Sequence, residues 1–382
     1  MTAFARLAVH RLTLTDFRCY AALRLETDSR PVVLTGPNGA GKTNILEALS
    51  FLAPGRGLRR AKLSEATRQG AGPRASWAVA VVLDVNGEPV SIGTGREAET
   101  ERRLVRIDGK AARPGNLTDR LSVLWLTPAM DRLFVEGAVG RRRFLDRLVH
   151  GLEPAHATHA TAYDHAMRER TRLLRSGGRD RVWLSTLEEA MARHGTAMAT
   201  ARRDVLAALD RACGERVGPF PAARLTLGGD SLARLGEDDG GEAMEHRLRA
   251  AFETNRERDA AAGAATAGPH RVDLEVAHAD KNVPAGLCST GEQKAVLVRI
   301  VLAQARVRTL RHGQAPLLLL DEVAAHLDED RRAALFDELS GLSAQSWMTG
   351  TDAHLFAGFQ DRAQFVRVTD ATAALNAEGD TT

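Results

Sequence analysis

Eight consecutive residues constrain this chain more than any others: Gly36-Pro37-Asn38-Gly39-Ala40-Gly41-Lys42-Thr43, a complete G-x-x-x-x-G-K-[ST] pattern. It follows the apolar run Pro31-Val32-Val33-Leu34 and precedes the helix-like stretch Asn44-Ile45-Leu46-Glu47-Ala48-Leu49. In that strand–loop–helix setting the glycines let successive backbone N–H groups curl inward around phosphate oxygens. The start of the following helix adds the positive end of its dipole. Lys42 is placed to reach β- and γ-phosphates, and Thr43 to offer its hydroxyl to Mg²⁺. An ordinary glycine-rich turn needs none of these fixed positions, so the expectation is a site for a nucleoside triphosphate, ATP in the first instance.

The chain has 382 residues, enough for two domains or for one large domain with an insertion. No apolar run approaches the ~20 residues that would span a bilayer. The opening MTAFARLAVHRL lacks the continuous apolar stretch of a secretory signal. Cys19, Cys213 and Cys288 are odd in number and far apart, with neither disulfide nor zinc spacing, which points to a reducing cytoplasm. A net charge of +3 is too small by itself to imply nucleic acid. Only five of the 52 basic residues are lysine, however, and arginine's planar fork is the better reader of phosphate.

Along the chain, Leu7 and Val9 and then Leu12 and Leu14 alternate out of phase, which predicts a bulge or a break between the two patches. With Leu23 and Leu25 they suggest a pair of strands ahead of the phosphate loop. Residues 76–85 and 103–107 read as strands with turns at Asn86-Gly87 and Asp108-Gly109, and 123–126 as a short buried strand stopped by Pro128. From Arg141 to about Arg216 the apolar spacing becomes helical (Leu184, Leu187, Met191; then Met198, Val205, Leu209), broken at Ser176-Gly177-Gly178 and around 214–221. The stretch 228–241, with Glu237-Asp238-Asp239, reads as an exposed loop, and 260–268 as a mobile small-residue stretch. A helix over 291–311, a strand over 317–320, a helix over 329–339 and a strand over 346–349 complete the reading.

The run Leu317-Leu318-Leu319-Leu320-Asp321-Glu322 is an apolar strand ending in two carboxylates. Beside a phosphate loop, Asp321 suits the water shell of Mg²⁺ and Glu322 suits a general base that polarises the attacking water. Upstream, Ser289-Thr290-Gly291-Glu292-Gln293-Lys294 precedes a helix. Taken alone it reads as an ordinary capping box of Ser289 with Glu292 in preference to an anion-binding helix start.

The order of phosphate loop, long insertion, this serine–glycine helix start, Asp-Glu strand and then His326-Leu327-Asp328 resembles the ABC-type ATPases. The resemblance implies an α/β fold: an ABC-type P-loop ATPase head formed by residues 1–140 and 285–382, with a mainly helical lobe inserted at 141–284. It also implies that Ser289, Gly291 and Gln293 face ATP held by a second copy of the chain, making an ATP-dependent homodimer. Asp328 would sit in the loop that crosses between the two sites.

Ser289 lies 246 positions after Thr43, too far for a compact transporter ATPase. The helical stretch also lacks the sustained heptads of a long coiled coil. The remaining pattern is similar to the RecF family. It is carried by Leu14-Thr15-Asp16-Phe17-Arg18-Cys19-Tyr20, Gly55-Arg56-Gly57-Leu58-Arg59-Arg60, Arg106-Ile107-Asp108-Gly109, Arg141-Arg142-Arg143-Phe144-Leu145-Asp146, Gly268-Pro269-His270-Arg271 and Thr349-Gly350-Thr351-Asp352. Three departures stand out. Ala129 replaces the acidic residue usual after Thr127-Pro128, with Asp131 the nearest substitute. Thr351 or Asp352 stands where transporters carry a histidine, and His354 comes later. Cys19 precedes Tyr20 where asparagine is commoner.

The resemblance implies a slow, switch-like ATPase that dimerises on ATP and binds double-stranded and gapped DNA. It further implies work with recombination mediator proteins in recombinase loading, recombinational repair, replication restart and the SOS response, with no membrane partner. Arg56, Arg59, Arg60 and Lys62 are the first candidates for DNA contact, against the plainer reading of a solvated basic loop. Arg142 or Arg143 could instead pair with Asp146. Arg168, Arg172 and Arg175 share one helical face at i, i+4, i+7, either touching DNA or solvating the insertion. Aromatic content is only 4%, so backbone contact fits better than base stacking. The rival reading is the nucleotide-binding subunit of an ABC transporter, and a third is a scaffold in which ATP is structural.

Overall fold

The computed structural model describes residues 7–72, 75–85, 87–177, 180–215, 218–229, 241–342 and 344–375. Asn86, Gly178 and the expected acidic loop at Glu237-Asp238-Asp239 lie outside them. The chain divides into two compact units: Met1–Asp131 with Val217–Phe220 and Leu297–Thr382, and Arg132–Arg216 with Pro221–Val296.

In the first unit, β1 (Leu7–Phe17) and β2 (Tyr20–Glu26) pair antiparallel, and β1 also pairs with β4 (Trp77–Val85). The register of β1 against β4 shifts between Val9 and Arg11, where the apolar phase slips. With β5 (Glu88–Arg96), β6 (Arg103–Ile107) and β7 (Lys110–Ala112) these strands make a six-stranded antiparallel sheet. A second six-stranded sheet contains β3 (Val32–Thr35), β8 (Val123–Leu126), β12 (Leu317–Leu320), β13 (Ser346–Gly350), β14 (Gln364–Thr369) and β15 (Thr372–Leu375), in the order β15-β14-β3-β13-β12-β8. It is parallel apart from β15. All four leucines of β12 are buried, as a strand covered on both faces requires.

Helix α1 (Lys42–Ser50) follows β3, and its apolar face (Ile45, Leu46, Leu49) enters a core shared with residues from both sheets. Phe17, Phe51 and Trp77 form an aromatic cluster in that core, with centroids 4.9–6.0 Å apart. Trp77 Nε1 is satisfied by the Leu63 carbonyl at 2.7 Å.

The second unit contains α2 (Ala138–Leu152), α3 (His156–Arg175), α4 (Arg181–Gly214) and the helices Gly241–Thr254 and Arg256–Ala262. α4 has 34 residues, a length of about 50 Å at 1.5 Å per residue. The unit also holds an antiparallel sheet of β9 (Ala223–Gly228), β10 (Asp273–His278) and β11 (Val283–Pro284), which the helical reading of the insertion omits. The small-residue stretch 260–268 is packed rather than loose. Ala265, Ala267 and Gly268 are buried, and Asp259 Oδ1 accepts both the N–H and the hydroxyl of Thr266, at 2.8 and 2.6 Å.

Two arginines organise this unit from within. Fully buried Arg170 donates to Glu188 at 2.9 Å, Asp259 at 2.7 Å and the Phe252 carbonyl at 2.6 Å. Buried Arg202 donates to Asp146 at 2.6 Å and to the Pro269 carbonyl at 2.5 Å, and His156 lies 2.9 Å from the same carboxylate. Burial would raise the Asp146 carboxyl, but hydrogen bonds from His156 and Arg202 outweigh it and hold its pKa below the usual range. This corrects the expected partner of Asp146: it is Arg202, not Arg142 or Arg143. Arg141 is held by Asp273 at 2.6 Å.

Candidate functional site

The chemistry-bearing residues of the first unit collect at the carboxyl ends of its parallel strands, where open α/β sheets place their ligands. β13 lies between β3 and β12. Thr349, next to last in β13, is therefore placed between the loop that follows β3 and the carboxylates that follow β12.

The loop leaves β3 through Gly36 (φ 146°), whose missing Cβ would stand 2.1 Å from the Val368 carbonyl oxygen. Gly39 (φ 83°) has open space around it. Gly41 (φ 117°) begins α1 without any side-chain cap, so the helix's first N–H groups are left for an external acceptor. Pro37, Asn38 and Gly39 are exposed while Ala40 is buried. Lys42 is 5% exposed and turns its ammonium back onto the loop, donating to the carbonyls of Gly36 at 2.7 Å and Pro37 at 3.0 Å. It pairs with no carboxylate among the described residues. A buried cation compensated only by carbonyls calls for an anion.

Thr43 Oγ1 donates to Asp321 Oδ1 at 3.0 Å, and Thr349 Oγ1 donates to the same oxygen at 2.7 Å. Thr349 in turn accepts the backbone N–H of Glu322 at 2.9 Å. Glu322 occupies the left-handed region (φ 50°), strained for a residue with a Cβ, and this hydrogen bond holds the turn there. Both hydroxyls fall on Oδ1, so Oδ2 of Asp321 is left for other partners. The oxygen donors of Thr43 and Asp321 are the kind magnesium prefers, and they converge beside the loop, so these residues fit that ion.

Thr349 enters the sequence reading only within the family-like ending Thr349-Gly350-Thr351-Asp352, and the structure gives it a role in the site that the motif did not. The same holds for Glu47 and Arg18 in their segments: Glu47, fully buried on α1, is clasped by Arg18 at 2.8 and 2.5 Å. Arg18 Nη1 also donates to the Glu65 carbonyl at 2.6 Å.

Arg56, Arg59, Arg60 and Lys62 are all exposed on the segment after α1. Arg59 shares Glu47 with Arg18, its Nε lying 3.5 Å from that carboxylate. The root of the segment is clamped by Arg103. Its guanidinium donates to the carbonyls of Ala53 and Gly55 at 2.9 Å each, to the Phe51 carbonyl and to Thr94. Burial lowers its pKa to about 10.

In the second unit, Ser289 and Glu292 form the reciprocal capping box. Glu292 accepts the N–H and the hydroxyl of Ser289 at 3.0 Å each, and Lys281 pairs with the same carboxylate. These contacts pull the Glu292 pKa down to about 2, the Lys281 hydrogen bond contributing most. Gln293 is buried and spends its amide on the Cys288 carbonyl at 2.8 Å, so it braces the helix start. Ser289 remains exposed, and a Cβ on Gly291 would meet nothing within 4 Å. In the first unit, Asp328 caps the helix Glu329–Gly341 by accepting the Arg331 N–H at 2.8 Å. Asp352 likewise accepts the N–H of His354 at 2.8 Å.

A phosphate loop after a central strand of a parallel sheet, with an acidic pair ending the strand two places away, is the arrangement of an ABC-type P-loop ATPase head. The family model for the RecF/RecN/SMC N terminal domain matches residues 8–374. The DNA replication and repair protein RecF of Agrobacterium fabrum is 52% identical over 371 residues, covering 95% of this chain and 97% of that protein. The chain thus belongs to the RecF family, which sets the transporter reading aside. Two solved structures of the recombination mediator protein RecF, with ATPrS and with ATP, share the fold. They have TM-scores of 0.85 and 0.83 at 19% and 20% identity, and cover 99% and 98% of this chain and 100% of theirs. No helix among the described residues is long and apolar enough to cross a membrane.

Proposed function

We propose that this chain is a cytoplasmic DNA-repair ATPase that closes as an ATP-dependent homodimer on double-stranded or gapped DNA and reopens on hydrolysis. The observation that carries the reading is the convergence of Thr43, Thr349 and Asp321 beside the under-compensated ammonium of Lys42. Similarity to proteins named for DNA replication and repair, and to a mediator solved with ATP in the RecFOR pathway, supports the DNA role and a partnership with other recombination mediators.

In this reading Gly36–Thr43 wraps the phosphate chain with backbone N–H groups, and Lys42 swings from its loop carbonyls to the β- and γ-phosphates. Thr43 and Asp321 would hold Mg²⁺, which would supply charge neutralisation for the phosphate chain. Glu322 takes a proton from the attacking water. Thr349 keeps Asp321 and the turn of Glu322 in register. Exposed Ser289 and open Gly291 offer the opposing wall for the nucleotide of a second copy, and Asp328 lies at the crossing. The exposed loop of Arg56, Arg59, Arg60 and Lys62 supplies sequence-independent phosphate contacts.

The dimer is tested by sedimentation of Ser289→Arg beside wild type with ATP and with ADP. Wild type is expected to dimerise with ATP only, while the variant binds ATP as a monomer. A variant that dimerises like wild type would refute the sandwich.

A further inference from the structure

A second basic feature lies in the helical unit, remote in sequence from the Arg56–Lys62 loop. A cavity of about 660 Å³ opens between the C-terminal half of α3 and the turn 263–271. Arg168, Arg172 and Arg175 line it from α3 and Arg271 from the facing turn, over a floor that includes Met167 and His270. No carboxylate lines it among the described residues.

The four guanidiniums are poorly compensated. Arg172 bonds Glu169 at 2.7 Å on the exposed face, and Arg168 Nε donates to the Asp164 carbonyl at 3.0 Å. Arg175 and Arg271 have no charged partner among the described residues. Two helix C-termini, those of α3 and of Arg256–Ala262, face the same region, each worth about half a negative charge at most. Together with Glu169, and with Asp164, whose carboxylate acts on His270, they offset the four positive charges only in part, and helix-end complementarity alone does not explain the set.

The walls are rigid. Arg170, one residue from the cavity lining, bolts α3 to Asp259, and Asp259 holds Thr266. Tyr163 Oη donates to His270 Nδ1 at 2.8 Å, while His270 Nε2 donates to the Ala265 carbonyl at 3.0 Å. Burial lowers the His270 pKa, which favours the neutral imidazole and hence this donor arrangement. Four exposed guanidinium forks around an open concavity suit several phosphate oxygens at once better than a single carboxylate.

We propose that this cavity is a second phosphate-binding site, taking backbone phosphates of a nucleic-acid strand that reaches the helical unit. The identity of the strand rests on the DNA-binding reading above; the affinity for phosphate does not.

The test uses the full chain with a Glu322→Gln substitution and saturating ATP, so that the phosphate loop is filled. Arg175→Gln with Arg271→Gln is compared with the parent and with the double lysine replacement. Two probes are applied: labelled gapped duplex across a salt series, and sodium tripolyphosphate followed by thermal shift. The glutamine pair is expected to weaken DNA binding about tenfold and to flatten the salt slope by about 2, near 0.9 for each phosphate no longer neutralised. The lysine pair should retain most of the slope, and tripolyphosphate should stabilise the parent but not the glutamine pair. Unchanged DNA affinity with an abolished tripolyphosphate shift would overturn the strand and leave a small polyphosphate as ligand. No change with either probe would overturn the site. A parent that binds no DNA yet responds to tripolyphosphate would sink the DNA-binding reading while the cavity's phosphate site stands.

Discussion

The hydroxyl of Thr349 donates to the carboxylate of Asp321 across 2.7 Å while accepting the backbone N–H of Glu322 at 2.9 Å. One side chain on β13 thereby aligns both acidic residues at the end of β12. Thr349→Val keeps the shape but removes the bridge, leaving a buried N–H and a carboxylate oxygen each short of a partner. A loss of ~1–3 kcal/mol in urea-unfolding stability is expected, with a larger fall in ATP hydrolysis than in ATP binding. Thr349→Ser should restore most of both. Equal hydrolysis by the valine variant would show that the bridge is dispensable.

Glu322→Gln removes the proton acceptor without changing the volume of the side chain. Steady-state hydrolysis should fall on the order of 10²–10⁴-fold while ATP-dependent dimerisation persists. Hydrolysis at the wild-type rate would move the general base elsewhere.

The capping box at Ser289 carries a defined pH signature. Glu292 has its folded-state pKa lowered to about 2, so its contribution is complete above the ordinary carboxylate range and fades as pH falls towards 2. The melting-temperature gap between wild type and Glu292→Gln should be flat at neutral pH and shrink from pH ~4.5 downward. It should also narrow in high salt, because the carboxylate is solvent-screened. A gap independent of pH down to ~3 would contradict the assignment.

Arg170→Met tests the buried network of the helical unit. It leaves Asp259 and part of Glu188 without their cation, though Arg256 still reaches Glu188 at 2.5 Å. Breaking a buried pair from one side costs about 3–5 kcal/mol, to be read from urea unfolding. A cost below ~1 kcal/mol would mean that water or Arg256 already satisfies both carboxylates.

Arg103→Lys keeps the charge but loses the fork that holds the carbonyls of Ala53 and Gly55. Gapped-duplex affinity should fall several-fold with ATP binding intact. Unchanged affinity would detach the Arg56–Lys62 segment from DNA contact, since loosening its root would then have no consequence.

The nucleotide half of this molecule was legible because its motifs are local. Gly36–Thr43 and Leu317–Glu322 each carry strand, turn and chemistry within a few residues. Thr349 was not legible in the same way. A strand over 346–349 was readable, but the insertion of β13 between β3 and β12 is a pairing across hundreds of residues, and no local pattern encodes it. The sheet β9–β11 was hidden by its short strands in an Ala- and Arg-rich context, although Leu225 and Leu227 do alternate. Arg170 lies off the face that Arg168, Arg172 and Arg175 share, and its role in a buried network was not read from that. Its spacing from Tyr163 and Ala166 (i, i+3, i+7) put it on the buried face, a signal the helical period already contained.

Fluorescence anisotropy of a labelled gapped duplex, titrated with wild type and Lys42→Arg in ATP and in ADP, addresses the nucleotide-gated clamp most directly. Tight binding by wild type in ATP alone, absent in the Lys42→Arg variant, is the expected result. Equal binding in ATP and ADP would contradict it and reduce the basic loop to a solvated surface.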